Sequence, residues 1–268
     1  MNSLAPCQVF DDLADDYDAN FATTAIGRLM RRAVWRRLDT HFHAGHSVLE
    51  LNCGTGEDAV HLGSRGVRVL ATDGSSRMVE IAAAKVCQTG LTGAIELQWM
   101  PIERLRDLRA PPFDGAFSNF GGLNCISDRG DVARALAGKL RAGATLLLCV
   151  MGPLVPWEWL WFLYHGEPRK AFRRLQRGGC HWRGIRVQYP SIRRLRKAFY
   201  PAFRMRRVSA LGALVPPPYA GEWASRHRGL LEALERWERR LETVPPLPWL
   251  GLRLRRRERP LPVPARGE

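Results

Sequence analysis

Apolar residues recur at two different spacings along the first 150 residues of the chain. Between residues 10 and 40 they fall three or four positions apart, which is typical of amphipathic helices, and two helices are predicted there. Short apolar runs then alternate with helical spacing. The predicted strands cover residues 47–52, 66–73, 94–99, 113–118 and 146–151. The predicted helices between them cover residues 57–65, 76–89 and 131–140.

This alternation predicts an α/β fold with a doubly wound, mostly parallel sheet in which each crossover is right-handed. The pattern changes after Gly152, where an aromatic-rich segment is followed by a basic helix at 169–177 and a helix at 222–242. We expect an aromatic and basic insertion after the fifth strand, and then the last strands of the sheet. The chain is therefore expected to form one globular domain with three parts. These are a helical cap at 1–46, a sheet core at 47–152, and the insertion with the completing strands at 153–268.

A glycine-containing turn joins the first predicted strand to the helix that follows it. It reads Glu50-Leu-Asn-Cys-Gly54-Thr-Gly56, and the second strand ends at Asp73. Glycines let a ligand approach the backbone, and the helix after the turn presents free N–H groups. A carboxylate at the second strand end can accept hydrogen bonds from both ribose hydroxyls of a nucleoside. The spacing also fits a dinucleotide site, but Glu50 would add a third negative charge beside a pyrophosphate.

Four successive segments resemble the motifs of the class I S-adenosylmethionine-dependent methyltransferases. The segments are Val48–Gly56, Ala71–Met78, Phe113–Phe120 and Leu140–Leu148. The segment Phe10–Asp18 is similar to the N-terminal helix of that family, which closes over the cofactor. The resemblance implies a seven-stranded, Rossmann-like sheet, S-adenosylmethionine as the cofactor and methyl transfer as the reaction.

The same resemblance implies which residues surround the cofactor. Those expected at its methionine end are Tyr17, Arg31, Glu50, Asn52, Gly54 and Gly56. Asp73 is expected to hold the ribose. The residues expected near the adenine are Gly74, Met78, Ile102 and Glu103, and those near the sulfonium are Asn119 and Phe120. Two positions depart from the family pattern, because Asn52 replaces the usual first glycine and Pro101 replaces the usual acid before the adenine edge.

Methyl transfer from a sulfonium is an in-line displacement, so holding the acceptor in a dry pocket supplies much of the catalysis. The fourth strand is followed by Asn-Phe-Gly and not by Asn-Pro-Pro-Tyr, which favours oxygen or carbon acceptors over nitrogen. The candidate bases fall in the insertion, and they are Tyr164, His165 and His181. Trp157 and Trp161 share a helical face and are candidates for the acceptor wall. Core packing and a membrane-surface anchor remain alternatives for that aromatic segment.

The net charge of +15 comes entirely from the second half of the chain. Residues 1–152 hold 16 Lys and Arg against 17 Asp and Glu, whereas residues 153–268 hold 25 against 9. Arginine binds carboxylates and phosphates with a fixed two-pronged geometry. We therefore expect a small-molecule substrate that is acidic or hydrophobic, or peripheral contact with an anionic membrane. An RNA methyltransferase is disfavoured because no RNA-binding module is recognisable, and a non-catalytic cofactor-binding protein stays open.

The remaining sequence features predict a cytoplasmic protein without a metal. The six cysteines contain no Cys-x-x-Cys pair, and His41, His43 and His46 form no helical metal-binding pair. No basic region followed by an apolar stretch begins the chain. The longest apolar run, 146–151, is far shorter than the roughly 20 residues that a membrane-spanning helix needs. The oligomeric state is not predicted.

Overall fold

A computed structural model describes residues 6–176, 178–217, 220–242 and 251–256 of the chain. The helices are α1 Pro6–Asp11, α2 Ala14–Tyr17, α3 Ala25–His41, α4 Glu57–Gly63, α5 Ser76–Gln88, α6 Arg129–Lys139, α7 Pro156–Tyr164, α8 Pro168–Ala171, α9 Ile192–Phe199, α10 Gly221–Arg226 and α11 Arg228–Leu241. The strands are β1 Ser47–Leu51, β2 Arg68–Asp73, β3 Ile95–Trp99, β4 Phe113–Ser118, β5 Leu140–Cys149, β6 Cys180–Trp182, β7 Ile185–Val187, β8 Phe203–Ser209 and β9 Gly251–Arg256. A π-helical turn at Asp18–Ala22 and 3₁₀ turns at Ile102–Asp107, Gly122–Cys125 and Arg173–Leu175 lie between them.

The main sheet has the strand order β3-β2-β1-β4-β5-β9-β8. The paired strands among β1 to β5 are all parallel to each other, whereas β9 runs antiparallel to both β5 and β8. The predicted α/β fold with a doubly wound, mostly parallel sheet is confirmed. The strand order reverses between β1 and β4, and open α/β sheets bind ligands at the carboxyl ends of the strands at such a point.

Three elements differ from the sequence prediction. Strand β5 begins at Leu140, which pairs with Phe113, six residues before the predicted start. The intervening residues 141–145, Arg-Ala-Gly-Ala-Thr, carry no alternating apolar pattern from which a strand could be predicted. The predicted helix at 222–242 is two helices, since the backbone at His227 (φ −122°, ψ 48°) leaves the helical region. The predicted basic helix at 169–177 is the single turn α8 and a 3₁₀ turn, because two of its arginines bind a buried glutamate described below. Residue 177 lies outside the described residues.

The two faces of the sheet pack against different helices. Leu49 and Leu51 of β1 belong to a cluster that includes residues of α6 and α9, whereas Val48 belongs to a cluster with α3 and α4. Successive strand side chains point to opposite faces, so β1 contributes to both clusters. By the same alternation, Glu50 lies on the face of Val48, near the carboxyl end of β1.

The N-terminal segment is attached to the loops after β1 and β2 by polar contacts. Asp11 accepts hydrogen bonds from the Ser75 hydroxyl (2.6 Å) and the Arg77 backbone N–H (3.1 Å). Asp18 accepts hydrogen bonds from the Thr55 hydroxyl (2.6 Å) and the Lys85 ammonium (2.8 Å). Helices α1 and α2 are thereby held at the carboxyl ends of these two strands.

Within the described ranges, no helix is both long enough and apolar enough to cross a membrane. The same residues contain no group of three or more His, Cys, Asp or Glu side chains that could hold a metal ion. Residues 1–5, 218–219, 243–250 and 257–268 lie outside the described part, and they include portions of the expected cap and C-terminal region. The division of the chain at residues 46 and 152 stays a prediction.

Candidate active site at the carboxyl ends of the strands

The turn after β1 has left-handed backbone geometry at three positions. Asn52, Gly54 and Gly56 have φ angles of 57°, 55° and 79°. Asparagine is one of the few residues with a side chain that adopts this conformation routinely, so Asn52 keeps the turn in spite of replacing a glycine. A Cβ atom at Gly56 would lie 2.9 Å from the Cβ of Ala82, so this glycine lets α5 pack closely against the turn.

Asp73 links this turn to the start of α5. Its Oδ2 accepts a hydrogen bond from the Gly54 backbone N–H (2.8 Å), and its Oδ1 accepts one from the Ser75 backbone N–H (2.9 Å). The residue is 9% exposed, and burial raises the pKa of its carboxyl while the two N–H groups oppose that rise. Each carboxylate oxygen retains a second lone pair. Asp73 can therefore accept two further hydrogen bonds from a diol such as a ribose.

A buried network of charged and polar groups lies beside the turn and centres on Asp58. Its Oδ1 accepts hydrogen bonds from Arg31 Nη1 (2.7 Å) and Trp35 Nε1 (2.7 Å), and its Oδ2 accepts one from Asn119 Nδ2 (2.8 Å). The Arg31 guanidinium also lies 4.9 Å from the ring centroid of Phe120. Sequence reasoning missed Asp58, although an acid in the first turn of the helix after a glycine turn was a usable sign.

Two buried polar atoms in this region have no hydrogen-bond partner among the described residues. They are Arg31 Nε and Glu50 Oε2. Glu50 is 2% exposed, and burial, together with the charge of Asp58, raises the pKa of its carboxyl well above the usual value, an effect that Arg31 opposes. Burial also raises the pKa of Tyr17 to about 12. The guanidinium of Arg31, which keeps an unpartnered N–H, fits the carboxylate of an amino acid, as in the methionine end of the expected cofactor.

A cavity of about 960 Å³ begins at Tyr17 and Arg31. The predicted cofactor residues that line it are Tyr17, Arg31, Asn52, Gly54, Asp73, Gly74, Met78, Ile102, Glu103, Asn119 and Phe120. Glu50 and Gly56 do not line it, because Glu50 lies in the strand and Gly56 packs against α5. Eleven of the thirteen predicted cofactor residues therefore share one cavity.

The other end of this cavity is formed by the chain that follows β5. The lining residues there are Met151, Arg169, Lys170, Arg173, Arg174, Gln176, Cys180, His181, Trp182, Ile185, Val187 and Tyr189. Of the three candidate bases, only His181 lies on the cavity. Tyr164 is 88% exposed, and His165 Nδ1 is within 2.7 Å of the Trp161 backbone carbonyl, so neither contributes to the lining. Tyr164 and His165 lie at the end of α7, away from the lining of this cavity, and their role as bases stays a prediction.

Trp157 and Trp161 also lie away from the cavity. Trp157 Nε1 donates a hydrogen bond to the Leu214 carbonyl (2.5 Å), and its ring lies 6.0 Å from that of Trp223. Trp161 packs against a buried cluster that includes Ile26 of α3 and residues of α10. The face of α7 that carries both tryptophans is turned towards α3 and α10. Both side chains are half-buried in these contacts and are not among the residues that line the cavity, so their place in the acceptor wall stays a prediction.

Helix α7 also carries Glu158, one residue after Trp157 and about 100° around the helix from it, which orients two arginines of the cavity lining. This residue is 1% exposed. It accepts hydrogen bonds from Arg173 Nη2 (2.7 Å) and from Arg174 Nε (2.6 Å) and Nη2 (2.8 Å). The Arg174 guanidinium lies 4.9 Å from the ring centroid of Tyr189. One buried carboxylate thus orients two arginines, and the wall keeps a positive excess.

Comparison with known proteins agrees with this arrangement. Residues 48–143 match the family model described as a methyltransferase domain. The demethylmenaquinone methyltransferase of Symbiobacterium thermophilum is 30% identical over 129 residues, which are 45% of this chain and 49% of the relative. The enzyme of the same name from Thermobifida fusca is 31% identical over 150 residues, which are 53% of this chain and 58% of the relative. The chain therefore matches about half the length of these relatives.

The fold itself is also found in solved structures. The structure of the [4+2]-cyclase SpnF superposes with a TM-score of 0.63 and 15% identity, covering 94% of this chain and 95% of that one. At this identity the likeness shows the fold alone. The family match and the relatives indicate methyl transfer, which the fold by itself does not show. The glycine turn, Asp73 and the shared cavity are consistent with a cofactor site of that kind. Residues 48–143 therefore match a methyltransferase domain, and this part of the chain is similar to the class I S-adenosylmethionine-dependent methyltransferases.

Proposed function

We propose that the protein transfers a methyl group from S-adenosylmethionine to an oxygen or carbon atom of a small biosynthetic molecule. The observation that carries the proposal is the single cavity that joins Asp73 and Arg31 at one end to His181 and Trp182 at the other. Its volume of about 960 Å³ lies at the upper end of the range for small-molecule sites, so it has room for a nucleoside cofactor and an acceptor together. The two demethylmenaquinone methyltransferases are named for a small-molecule acceptor, which supports the same class here.

The described side chains suit each part of the cofactor. Asp73 accepts hydrogen bonds from the ribose hydroxyls, while Met78 and Ile102 offer apolar surface to the adenine. Arg31 lines the cavity and suits the carboxylate of the amino-acid end, whereas Glu50 is buried in β1 outside the lining. The sulfonium group of the bound cofactor supplies an electrophilic methyl group. Asp58 is a positioning residue, because it holds Arg31 and Asn119 in place through hydrogen bonds of 2.7 and 2.8 Å.

The acceptor lies, in this proposal, against the wall formed by residues between β5 and β8. Trp182, Ile185 and Val187 provide apolar surface, and the arginines of the wall favour an acidic group on the acceptor. His181 is placed to accept a proton from a hydroxyl acceptor. This segment is the proposed acceptor-side insertion, and β8 and β9 are the proposed completion of the seven-stranded sheet.

The test is turnover with methyl-labelled S-adenosylmethionine and fractionated cell extract. The wild-type protein should label a small-molecule product, and Asp73→Asn should label far less at limiting cofactor. Glu96→Gln changes a glutamate that is exposed on β3, far from the cavity lining, and should behave as the wild type. Fold alone does not establish methyl transfer, since a protein of the same fold is named a cyclase. Cofactor binding without any labelled product, or labelled RNA, would contradict the proposal.

A further inference from the structure

A second cavity, of about 490 Å³, lies next to the acceptor end of the main cavity. It is bounded by the start of α6, the loop before β6 and one side of α9. The charged residues that line it are Asp128, Arg129, Arg134, Arg194 and Lys197. Gln176 and Tyr189 line both cavities and therefore lie where the two meet. Nothing in the proposed methyl transfer uses the cations of this second cavity.

Arg129 is a buried cation whose hydrogen-bond acceptors are all neutral. It is 8% exposed. Its Nε donates to the Leu123 carbonyl (3.0 Å), its Nη1 to Gln188 Oε1 (2.9 Å) and its Nη2 to the Asn124 carbonyl (3.5 Å). Burial lowers the pKa of this guanidinium, and no carboxylate of the described residues forms an ion pair with it. Burying a charge without a counter-charge is costly, so an anion brought to this cavity would be stabilised by it.

Helix α9 adds two more cations to the same cavity. Arg194 and Lys197 are three positions apart, so they lie on one side of the helix, and both line the cavity. The helix reads Ile-Arg-Arg-Leu-Arg-Lys-Ala-Phe and contains no acid. Among the described residues, neither Arg194 nor Lys197 forms an ion pair.

The remaining charges of the cavity largely balance each other. Arg134 pairs with Asp131 (3.2 Å) and approaches Asp128 (4.0 Å). Among the described residues, Arg129, Arg194 and Lys197 therefore line the same open pocket without a carboxylate partner. Such a set, with two planar guanidinium groups, matches a phosphate better than a single carboxylate, because phosphate carries more charge and more acceptor oxygens.

We propose that this second cavity binds a phosphate group of the acceptor while the atom to be methylated lies beyond Tyr189 in the main cavity. The proposal rests on the proposed function, because it concerns the acceptor of that reaction. Tyr189 forms the boundary, and Arg174, stacked on its ring, continues the positive charge into the main cavity. The phosphate belongs either to a small phosphorylated molecule or to a phosphopantetheine arm that carries the acceptor.

The first experiment measures binding of inorganic pyrophosphate by calorimetry at low salt. The double variant Arg194→Gln/Lys197→Gln should bind it at least about tenfold more weakly than the wild type, because two charge-assisted contacts are lost. The control is Arg193→Gln/Arg196→Gln, which removes the same charge from the same helix at positions that do not line the cavity. It should keep the wild-type affinity. Arg129→Gln should also weaken binding, with thermal unfolding recorded to show that the variant folds.

Equal weakening in both double variants would overturn the proposal, since the anion would then sense only the general surface charge. The absence of pyrophosphate binding by the wild type would overturn it as well. Calorimetry with S-adenosylhomocysteine on the same proteins keeps this result separate from the proposed function. Cofactor binding without pyrophosphate binding rejects the second cavity and leaves methyl transfer standing.

The source of the phosphate is distinguished with two further probes. Glycerol phosphate and 4′-phosphopantetheine should each compete with pyrophosphate, and both competitions should be lost in the Arg194→Gln/Lys197→Gln variant. Tighter binding of phosphopantetheine than of glycerol phosphate supports an acceptor carried on that arm. Equal binding supports a short phosphorylated acceptor. Competition that is unchanged in the double variant contradicts the assignment of this cavity.

Discussion

Replacement of Asp73 by asparagine tests whether the carboxylate of Asp73 holds the ribose of the cofactor. In the wild type, the two carboxylate oxygens accept backbone hydrogen bonds from Gly54 (2.8 Å) and Ser75 (2.9 Å). The asparagine side chain would keep the shape of the aspartate, but its NH₂ group would face one of those N–H donors. We therefore expect Asp73→Asn to lower the free energy of unfolding by about 1–3 kcal/mol, which is the cost of leaving a buried donor unsatisfied.

The effect on ligand binding follows from the same atoms. A carboxylate accepts from both ribose hydroxyls, and a hydrogen bond to a charged group contributes about 1.5–3 kcal/mol. The amide retains one oxygen, so at least one such bond is lost. The dissociation constant of S-adenosylhomocysteine should therefore rise about 10- to 150-fold.

Calorimetry with S-adenosylhomocysteine and its 2′-deoxy analogue separates this contact from general damage to the site. The wild type should bind the deoxy analogue much more weakly than the parent ligand, whereas Asp73→Asn should discriminate between them by less than about threefold. Asp107→Asn, an exposed change on the 3₁₀ turn after β3, should discriminate as the wild type does. Equal discrimination by the wild type and Asp73→Asn would refute the placement of Asp73 on the ribose.

Three further results are expected. Burial raises the pKa of the Glu50 carboxyl from its ordinary value of 4.5, so the folded protein retains a proton that the unfolded chain releases. The free energy of unfolding should therefore fall as the pH rises from about 4.5 towards the raised pKa. Glu50→Gln should flatten that fall in thermal unfolding measured across pH. Trp161→Ala should lower the free energy of unfolding by about 2–4 kcal/mol and leave the KM of the acceptor unchanged, whereas a raised KM in a stable variant would return it to the acceptor wall. His181→Ala should lower kcat for a hydroxyl acceptor by about 10²- to 10⁴-fold without changing cofactor affinity, and an unchanged kcat would remove it as the base.

The strand ends and the glycine turn could be predicted from the sequence because their physical requirements are local. Both features depend on residues that are adjacent in the sequence. They are the strand that ends at Asp73 and the turn with left-handed backbone at Gly54 and Gly56. Asn52 shows the limit of such reasoning. An asparagine in place of the usual glycine leaves the shape of the turn open, and the φ angle of 57° shows that asparagine takes the role of glycine there.

The side chains that were missed act through partners far away in the chain. Asp58 meets Arg31 across 27 positions, and Glu158 binds arginines that lie in another helical turn. Helical spacing placed Trp157 and Trp161 on one face correctly, but it does not say which neighbour that face meets. In the structure that face meets α3 and α10, while Glu158 binds Arg173 and Arg174 of the cavity lining.

The cap and the acceptor wall share one apolar cluster, and this links the two ends of the main cavity. Val9 of α1 is buried with Ile185 and Val187 of the β6–β7 hairpin, and the ring of Phe10 lies 6.4 Å from that of Trp182. The same cap is held at the cofactor end by polar contacts to the loops after β1 and β2. A chain segment that touches both ends excludes water from both, and electrostatic interactions inside a dry site are stronger than those in water. In the proposed assignment, the hairpin of the acceptor wall would therefore also help to cover the cofactor.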